Sequence, residues 1–384
     1  MDMSSAVQVL HWNQKLMSIL GLWPLDKNDK RYAFGIMCCL IHLTFQQADL
    51  YKFGTTFEHV VANLSINMVH SSVTIRLITL RINSRTLGKV MREVQADCIE
   101  TNYETFTERK IFLHYHKMAR LFIMISVPMT VVLVFLVYLL PLSGVLGTII
   151  VTRNTTVELK LPYHMYVFYD VSKVRPYVLT YAAQLPFVVF VGFGSVAPTC
   201  LVASLTFHMC GQLAVLVERI NNIKTDGQNC ALAIKMLVKQ HVRLIRLTKS
   251  VDDVFNICML FQLVTDMILM GILTFYVLAS AIEDQTTGLV TFLLYVVVVT
   301  SYIFVFCWGG EKLVEESTNI HDALSACPWY DMPSAHAKML IICMIRAQQP
   351  LTMTAGKFYE FTLINFTNIL KTSMAYVSVL RNMI

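Results

Sequence analysis

The sequence predicts an all-α integral membrane protein of seven transmembrane helices, with its amino terminus in the cytoplasm and its carboxyl terminus outside the cell. Three observations carry that reading. Hydrophobic residues make up 55% of the 384 and charged residues only 15%, against about 25% charged in an ordinary soluble domain. The apolar residues fall in long blocks, and a helix needs about 20 of them to cross the hydrocarbon core. The Lys and Arg residues crowd onto alternate segments between those blocks.

Residues 1–32 come first and contain no sustained apolar core bounded by a small-residue cleavage site. They read as a cytoplasmic amino-terminal segment rather than a signal peptide, which leaves membrane insertion to the internal blocks. Residues 33–349 hold helices one to six with their loops and cytoplasmic anchor helices. The first block, Ala33–Leu50, turns polar at its end through Gln46, Gln47 and Asp49, and the second, Val60–Leu80, contains Arg76. An arginine at the bilayer centre is costly. Arg76 lies about one turn from the segment's end, where it is expected to snorkel to the interface.

Four blocks then meet the length and apolarity criteria outright: Leu121–Leu142, Val178–Leu205, Val254–Ile282 and Gly288–Trp308. The last, Phe358–Val379, is dotted with polar residues and falls in residues 350–384, the predicted seventh, pore-lining helix. Lipid offers no partner to an open backbone, so each block must be helical.

Alternating the loops across the bilayer puts 23 of the 31 Lys and Arg on one side and six on the other, with Arg76 and Lys371 inside spans. The crowded side is cytoplasmic by the positive-inside rule. Asn154-Thr155-Thr156, a glycosylation acceptor, falls in a loop placed outside, whereas the sequons at Asn63 and Asn365 fall within or against spans. This topology is opposite to that of a G-protein-coupled receptor. The loop from Ser143 to Tyr177 also lacks the cysteine such receptors use.

The ten cysteines show no paired metal-ligand spacing and suit small buried hydrophobes, so neither metal nor cofactor is expected. Gly192-Phe193-Gly194-Ser195-Val196 has the wrong spacing for a nucleophile elbow and lies within a span. No phosphate-cradling glycine loop is present, and no enzyme activity or nucleic-acid partner is expected. A secondary transporter would show matching helix breaks in two halves. Pro186 and Pro198 fall in the fourth block, and no matching pair of breaks in two halves of the chain is read.

The seventh block has the composition of a water-lining helix. Thr362, Asn365, Thr367, Asn368, Lys371, Thr372, Ser373 and Ser378 lie within a bilayer length, and polar groups at that depth face protein or water. Ala375, Val379 and Asn382 or Met383 recur on one helical face. Such a face either packs against a neighbouring helix or closes a narrow path by dewetting. Lys371 suits the pore or an acidic partner on a neighbouring chain.

The carboxyl-terminal run Pro350-Leu351-Thr352-Met353-Thr354-Ala355-Gly356-Lys357-Phe358-Tyr359-Glu360-Phe361, followed by Ile369-Leu370-Lys371-Thr372-Ser373-Met374-Ala375-Tyr376, closely resembles the signature of insect odorant receptors. Leu161-Pro162-Tyr163 and Tyr169-Asp170 in the long outer loop are similar to that family as well. The family's final motif is usually a Thr-Tyr pair, five mostly apolar residues, then Gln-Phe. Here it is Ala375-Tyr376, Val377 to Arg381, then Asn382-Met383. That departure, with the short stretch Phe207–Asp253, resembles a ligand-tuning subunit rather than the shared co-receptor.

The resemblance implies an odorant-binding subunit of a heteromeric, non-selective cation channel in the plasma membrane of olfactory neuron dendrites. It implies a tetramer with the co-receptor, which Cys230–Ser250 could help to join, and a gate at Val379 beside Tyr376, with Asn382 one turn further out. It also implies a volatile odorant in an outer-half pocket of the second, third, fourth and sixth spans. The candidates there are Asn67, His70, Phe135, Tyr138, Tyr177, Tyr181, Gln184, Phe292 and Tyr295. Pockets of this kind are mostly apolar and aromatic with few polar groups. Each of these residues also suits packing or an interface belt, and His70 suits a satisfied interior histidine. A gustatory receptor of the same superfamily is the alternative. The Phe358–Phe361 and Leu370–Thr372 runs favour the odorant branch.

Overall fold

The computed structural model describes residues 3–54, 57–152, 161–171, 173–223, 230–280 and 286–381. The chain runs as α1 (Ser4–Ile19), α2 (Asp29–Phe53), α3 (Phe57–Ile82), α4 (Ser84–Asp97), α5 (Phe106–Thr152), α6 (Val174–Asn221), α7 (Cys230–Ser280), α8 (Thr286–Ala326) and α9 (Ser334–Ala347). A two-stranded hairpin, β1 (Thr354–Ala355) and β2 (Tyr359–Glu360), leads into α10 (Leu363–Arg381).

Five described helices are long and apolar enough to cross a membrane, within Asp29–Phe53, Phe106–Leu142, Val174–Asn221, Ala231–Ile272 and Leu293–Ala326. Their outer faces carry exposed apolar side chains, such as Phe34, Met37 and Ile41 on α2, Leu121 and Ile125 on α5, and Ile257 and Phe261 on α7. A soluble monomer rarely leaves so much contiguous apolar surface uncovered. Lipid is the solvent these stripes require.

α5, α6 and α7 run 47, 48 and 51 residues, which at about 1.5 Å per residue is roughly 70 Å and more than twice the hydrocarbon thickness. Their excess, with the end of α8, gathers at the basic end of the molecule with α1, α4 and α9. α6 is the central post: beyond Gly194, most of its residues down to Leu216 are buried. α4 buries Leu87, Val90, Met91 and Val94, a single stripe at helical spacing. α1 ends in a left-handed Gly21 (φ 68°), with Leu22 N–H on the Met17 carbonyl at 3.0 Å and Gly21 N–H on Ser18 at 3.1 Å.

Polar contacts tie this end together. The buried Asp97 carboxylate of α4 meets Arg243 of α7 at 2.8 Å and His208 of α6 at 3.2 Å. Burial pushes that carboxyl upward, but the bonds and charges of His208 and Arg243 outweigh it and hold the group below its ordinary range. Arg219 of α6 pairs with Glu108 of α5 at 2.8 Å. Cys39, Cys98, Cys200, Cys210, Cys258, Cys307, Cys327 and Cys343 are buried, as small hydrophobes are.

One local expectation fails. Arg76 is 4% exposed and does not snorkel. Its Nη1 donates to the Ser195 carbonyl at 3.0 Å and the Thr199 hydroxyl at 3.3 Å on α6. Inward acceptors replace the water it would otherwise have sought.

Candidate functional site

A cavity of about 110 Å³ lies where α3, α5, α6, α7 and α8 meet. Val73, Leu133, Val134 and Val191 give it an apolar wall, and Arg76, Gln262, Asp266 and Tyr295 give it a polar one. Its lining comes from the middle of each apolar block, so it sits at mid-depth rather than in the outer half. Gly192 lies in the wall with its face against Val134, where an added Cβ would meet the side chain at 3.3 Å. Tyr302 and Thr130 close one side through a hydroxyl–hydroxyl hydrogen bond.

Asp266 has a second role. With Val299 it also lines a small gap shared with Phe366, Ile369 and Ser373 of α10. These three recur at helical spacing and form the face by which α10 packs on α7 and α8, whereas Thr367, Asn368, Lys371 and Ala375 are exposed. Asp266 thus lines both the cavity and the gap beneath α10.

α10 is set by what precedes it. Gly356 (φ 62°) and Lys357 (φ 68°) make a left-handed two-residue turn, the geometry that suits a hairpin. Asp252 of α7 accepts from Thr354 N–H and Oγ1, both at 2.8 Å, and from Lys357 Nζ at 2.6 Å. Asp253 also accepts from Lys357. These bonds outweigh the downward pull of burial and hold the ammonium above its ordinary range. Gly356 N–H donates to Asn256 at 3.0 Å. The apolar block Phe358–Val379 therefore turns helical only at Leu363, where Glu311 of α8 accepts the first free N–H at 3.2 Å.

Of the nine residues proposed from sequence as ligand contacts, Tyr295 lines the cavity. His70 sits apart from the cavity lining, in an aromatic cluster. Its Nδ1 is 3.1 Å from Gln46 Oε1, and its ring lies edge-on to Phe187 and Tyr163 at 4.6 and 5.1 Å. Asn67 is buried and accepts from Gln47 at 3.0 Å. Tyr138 donates to the Tyr181 carbonyl at 2.7 Å, and Tyr181 returns a bond to the Tyr138 carbonyl, clasping α5 to α6. The Tyr177 ring lies tilted against that of Tyr181, with centroids 5.7 Å apart. Gln184 donates to Met165 Sδ, in the segment between α5 and α6, at 2.8 Å. Phe135 is 41% exposed on the lipid face. The side chains of Phe292, Tyr376 and Val379 lie outside the described set, as do residues Asn154, Asn382 and Met383.

Sequence reasoning did not name Asp266, Gln262 or Tyr302. The signal for Asp266 was present: a carboxylate inside an otherwise apolar block faces protein or water, not lipid. Among the described residues no His, Cys, Asp or Glu group is arranged to hold a metal ion.

The model of the family described as 7tm Odorant receptor matches residues 56–374. Odorant receptor 13a of Drosophila melanogaster is 24% identical over 95% of this chain and 93% of its own length. The odorant receptor coreceptor of Aedes aegypti is 28% identical, over 38% of this chain and 30% of its own. Among solved structures, the olfactory receptor OR5 of Machilis hrabei in complex with eugenol superposes with a TM-score of 0.77, at 15% identity, across 99% of this chain and 100% of that one.

Proposed function

This chain belongs to the odorant receptor family, which makes it a multi-pass membrane receptor rather than an enzyme, and from that premise we propose that it is the odorant-binding subunit of a ligand-gated cation channel. The carrying observation is the shared carboxylate. Asp266 lies in the wall of a mid-membrane cavity and against the packing face of α10. Occupancy of the cavity then has a direct mechanical path to that helix. An odorant that binds better when α10 is displaced shifts the population toward the displaced state, by no more than its differential affinity.

In this reading α2, α3, α5, α6, α7, α8 and α10 are the seven crossings. The amino terminus and the basic bundle are cytoplasmic, and the carboxyl terminus is extracellular. The exposed polar face of α10, with Lys371 and Ala375, faces the pore, and Val379, Asn382 and Met383 continue it toward the gate beside Tyr376. One pore helix per chain requires several chains about an axis. The local likeness to co-receptors supports a heteromer with such a subunit, joined through the cytoplasmic bundle. The eugenol complex of the Machilis receptor supports a small organic ligand. The plasma membrane follows as the site of action, and Asn154 is a candidate glycan site on its outer face.

The test is whole-cell recording from cells expressing the chain with and without a co-receptor, against an odorant panel. Odour-evoked current that persists when G-protein signalling is blocked supports the channel. Current that needs G proteins overturns it.

A further inference from the structure

We propose that the junction of α2, α3 and α4 binds the headgroup of an anionic phospholipid of the inner leaflet, a phosphoinositide carrying several phosphate charges. The choice of leaflet rests on the proposed orientation, whereas the contact with lipid does not.

Four segments converge at this junction. Lys27, in the loop between α1 and α2, donates to the Ser84 hydroxyl at the start of α4 at 2.9 Å. The Pro24 carbonyl of the same loop lies 3.6 Å from where a Cβ on Gly88 would stand, so the loop runs along the first turns of α4. Arg81, in the last turn of α3, pairs with Asp29 in the first turn of α2 and lies 5.3 Å from the centroid of the Tyr32 ring. Arg31 Nη1 donates to the Ser18 carbonyl at 3.4 Å. One surface therefore carries Lys27, Lys30, Arg31, Arg85 and Lys89, all of them exposed.

That surface is positive without compensation. Arg85 and Lys89 stand one turn apart on the side of α4 opposite its buried stripe of Leu87, Val90, Met91 and Val94. Among the described residues, no carboxylate pairs with any of the five cations. Arg81 takes Asp29, which leaves Asp26 as the acid among them and the surface four charges positive. Arg92 and Glu93, further along α4, offset each other.

Its position selects lipid. The apolar block of α3 ends at Leu80 and that of α2 begins at Ala33, so the cations stand at the polar edge of two spans. Ile82 is 74% exposed between Arg81 and Arg85, and Phe34 is 55% exposed one turn beyond Lys30. An acidic protein or a soluble phosphate would answer the charge and leave both side chains in water. A phospholipid offers phosphate oxygens to the cations and acyl chain to Ile82 and Phe34. Clusters of about four to eight Lys and Arg beside the cytoplasmic end of a membrane helix suit phosphoinositides, because anionic lipids collect in that leaflet. Arg also matches phosphate oxygens with two parallel N–H bonds. Asp97 ties α4 to α6 and α7, so lipid held at its first turns anchors the basic bundle to the membrane surface.

The probe is a fluorescent phosphatidylinositol bisphosphate, titrated with the detergent-purified full chain and read by fluorescence polarisation. Unlabelled phosphatidylinositol bisphosphate is expected to displace it at a concentration at least about tenfold lower than phosphatidylcholine does, and added salt is expected to weaken the probe. Each basic side chain beside an anionic headgroup contributes about fivefold in binding. Arg85→Gln combined with Lys89→Gln is therefore expected to weaken the probe at least about tenfold. Lys235→Gln combined with Lys239→Gln, an exposed basic pair on α7, is expected to change it by less than about twofold. Unchanged melting temperatures identify variants that fold, and the displacement series on the unaltered chain needs no variant. Equal displacement by phosphatidylcholine, equal loss in the two double variants, or soluble inositol trisphosphate competing as well as the whole lipid overturns the lipid site. Each leaves the channel standing, because none of these measurements involves current. Antibody labelling of Met1 on intact cells would overturn the inner-leaflet assignment.

Discussion

Gly356 and Gly310 stand where an added side chain would strain or displace the lead-in to α10. Gly356 has φ 62°, and an added Cβ would lie 2.7 Å from Leu260 Cδ2. A left-handed conformation costs an L-residue about 1–2 kcal/mol before any clash is counted. Gly356→Ala is therefore expected to lower the melting temperature of the detergent-purified protein by a few degrees. At Gly310 a Cβ would lie 2.1 Å from the Phe361 carbonyl oxygen, which is backbone and has no room to yield. Gly310→Ala is expected to push the lead-in to α10 off α8 and raise the odorant concentration needed for half-maximal current at least about tenfold. Gly271→Ala, where nothing lies within 4 Å of the added Cβ, is the control. Equal sensitivity of the two variants would remove the role given to Gly310. Both glycines are visible in the sequence, but only the fold shows what approaches them.

At the scale of elements, α4 and α10 are both placed by charge. The position of α4 depends on Asp97, which joins it to α6 and α7. Its native pKa lies below its unfolded value of 3.8, so its contribution to stability is complete above about pH 4. That contribution is lost as the pH falls through the lower native value. Thermal melting in detergent is expected to decline below pH 4, and Asp97→Asn to lower the melting point at neutral pH while flattening that decline. An unchanged acid slope in the variant would assign the loss to other groups. α10 is held by the Asp252–Lys357 bond and by Glu311 at its first turn. The run from Thr354 to Tyr359, read from sequence as part of a family signature, thus has a physical meaning. It is a hairpin docked on α7 that fixes where the last helix begins. The strands are two residues each, too short for alternation to reveal them.

At the scale of the whole molecule, the proposed orientation rests on the alternating distribution of basic residues. An epitope at Met1 is expected to be reached by antibody only after permeabilisation, and labelling of intact cells would reverse the topology. Val379→Ala, which shortens the side chain assigned to the gate, is expected to raise resting current or lower the odorant concentration required. No change in either would move the gate to another residue.

The lipid-crossing blocks, the basic asymmetry and the polar last segment were legible without coordinates, because each is a property of residues near one another in sequence and of the solvent they demand. Pro186 and Pro198 did not disguise the fourth block, which forms one helix from Val174 to Asn221. The cavity was not legible. Arg76 and Asp266 are 190 positions apart, on helices whose rotation and depth are set by side-chain packing against α6. Sequence pattern fixes which face of a helix avoids lipid, but not which of its polar residues meets which across the bundle. Tertiary packing therefore decided that Arg76 turns inward, that His70 joins an aromatic cluster and Tyr138 clasps α5 to α6, and that Asp266 lines both the cavity and the gap beneath α10.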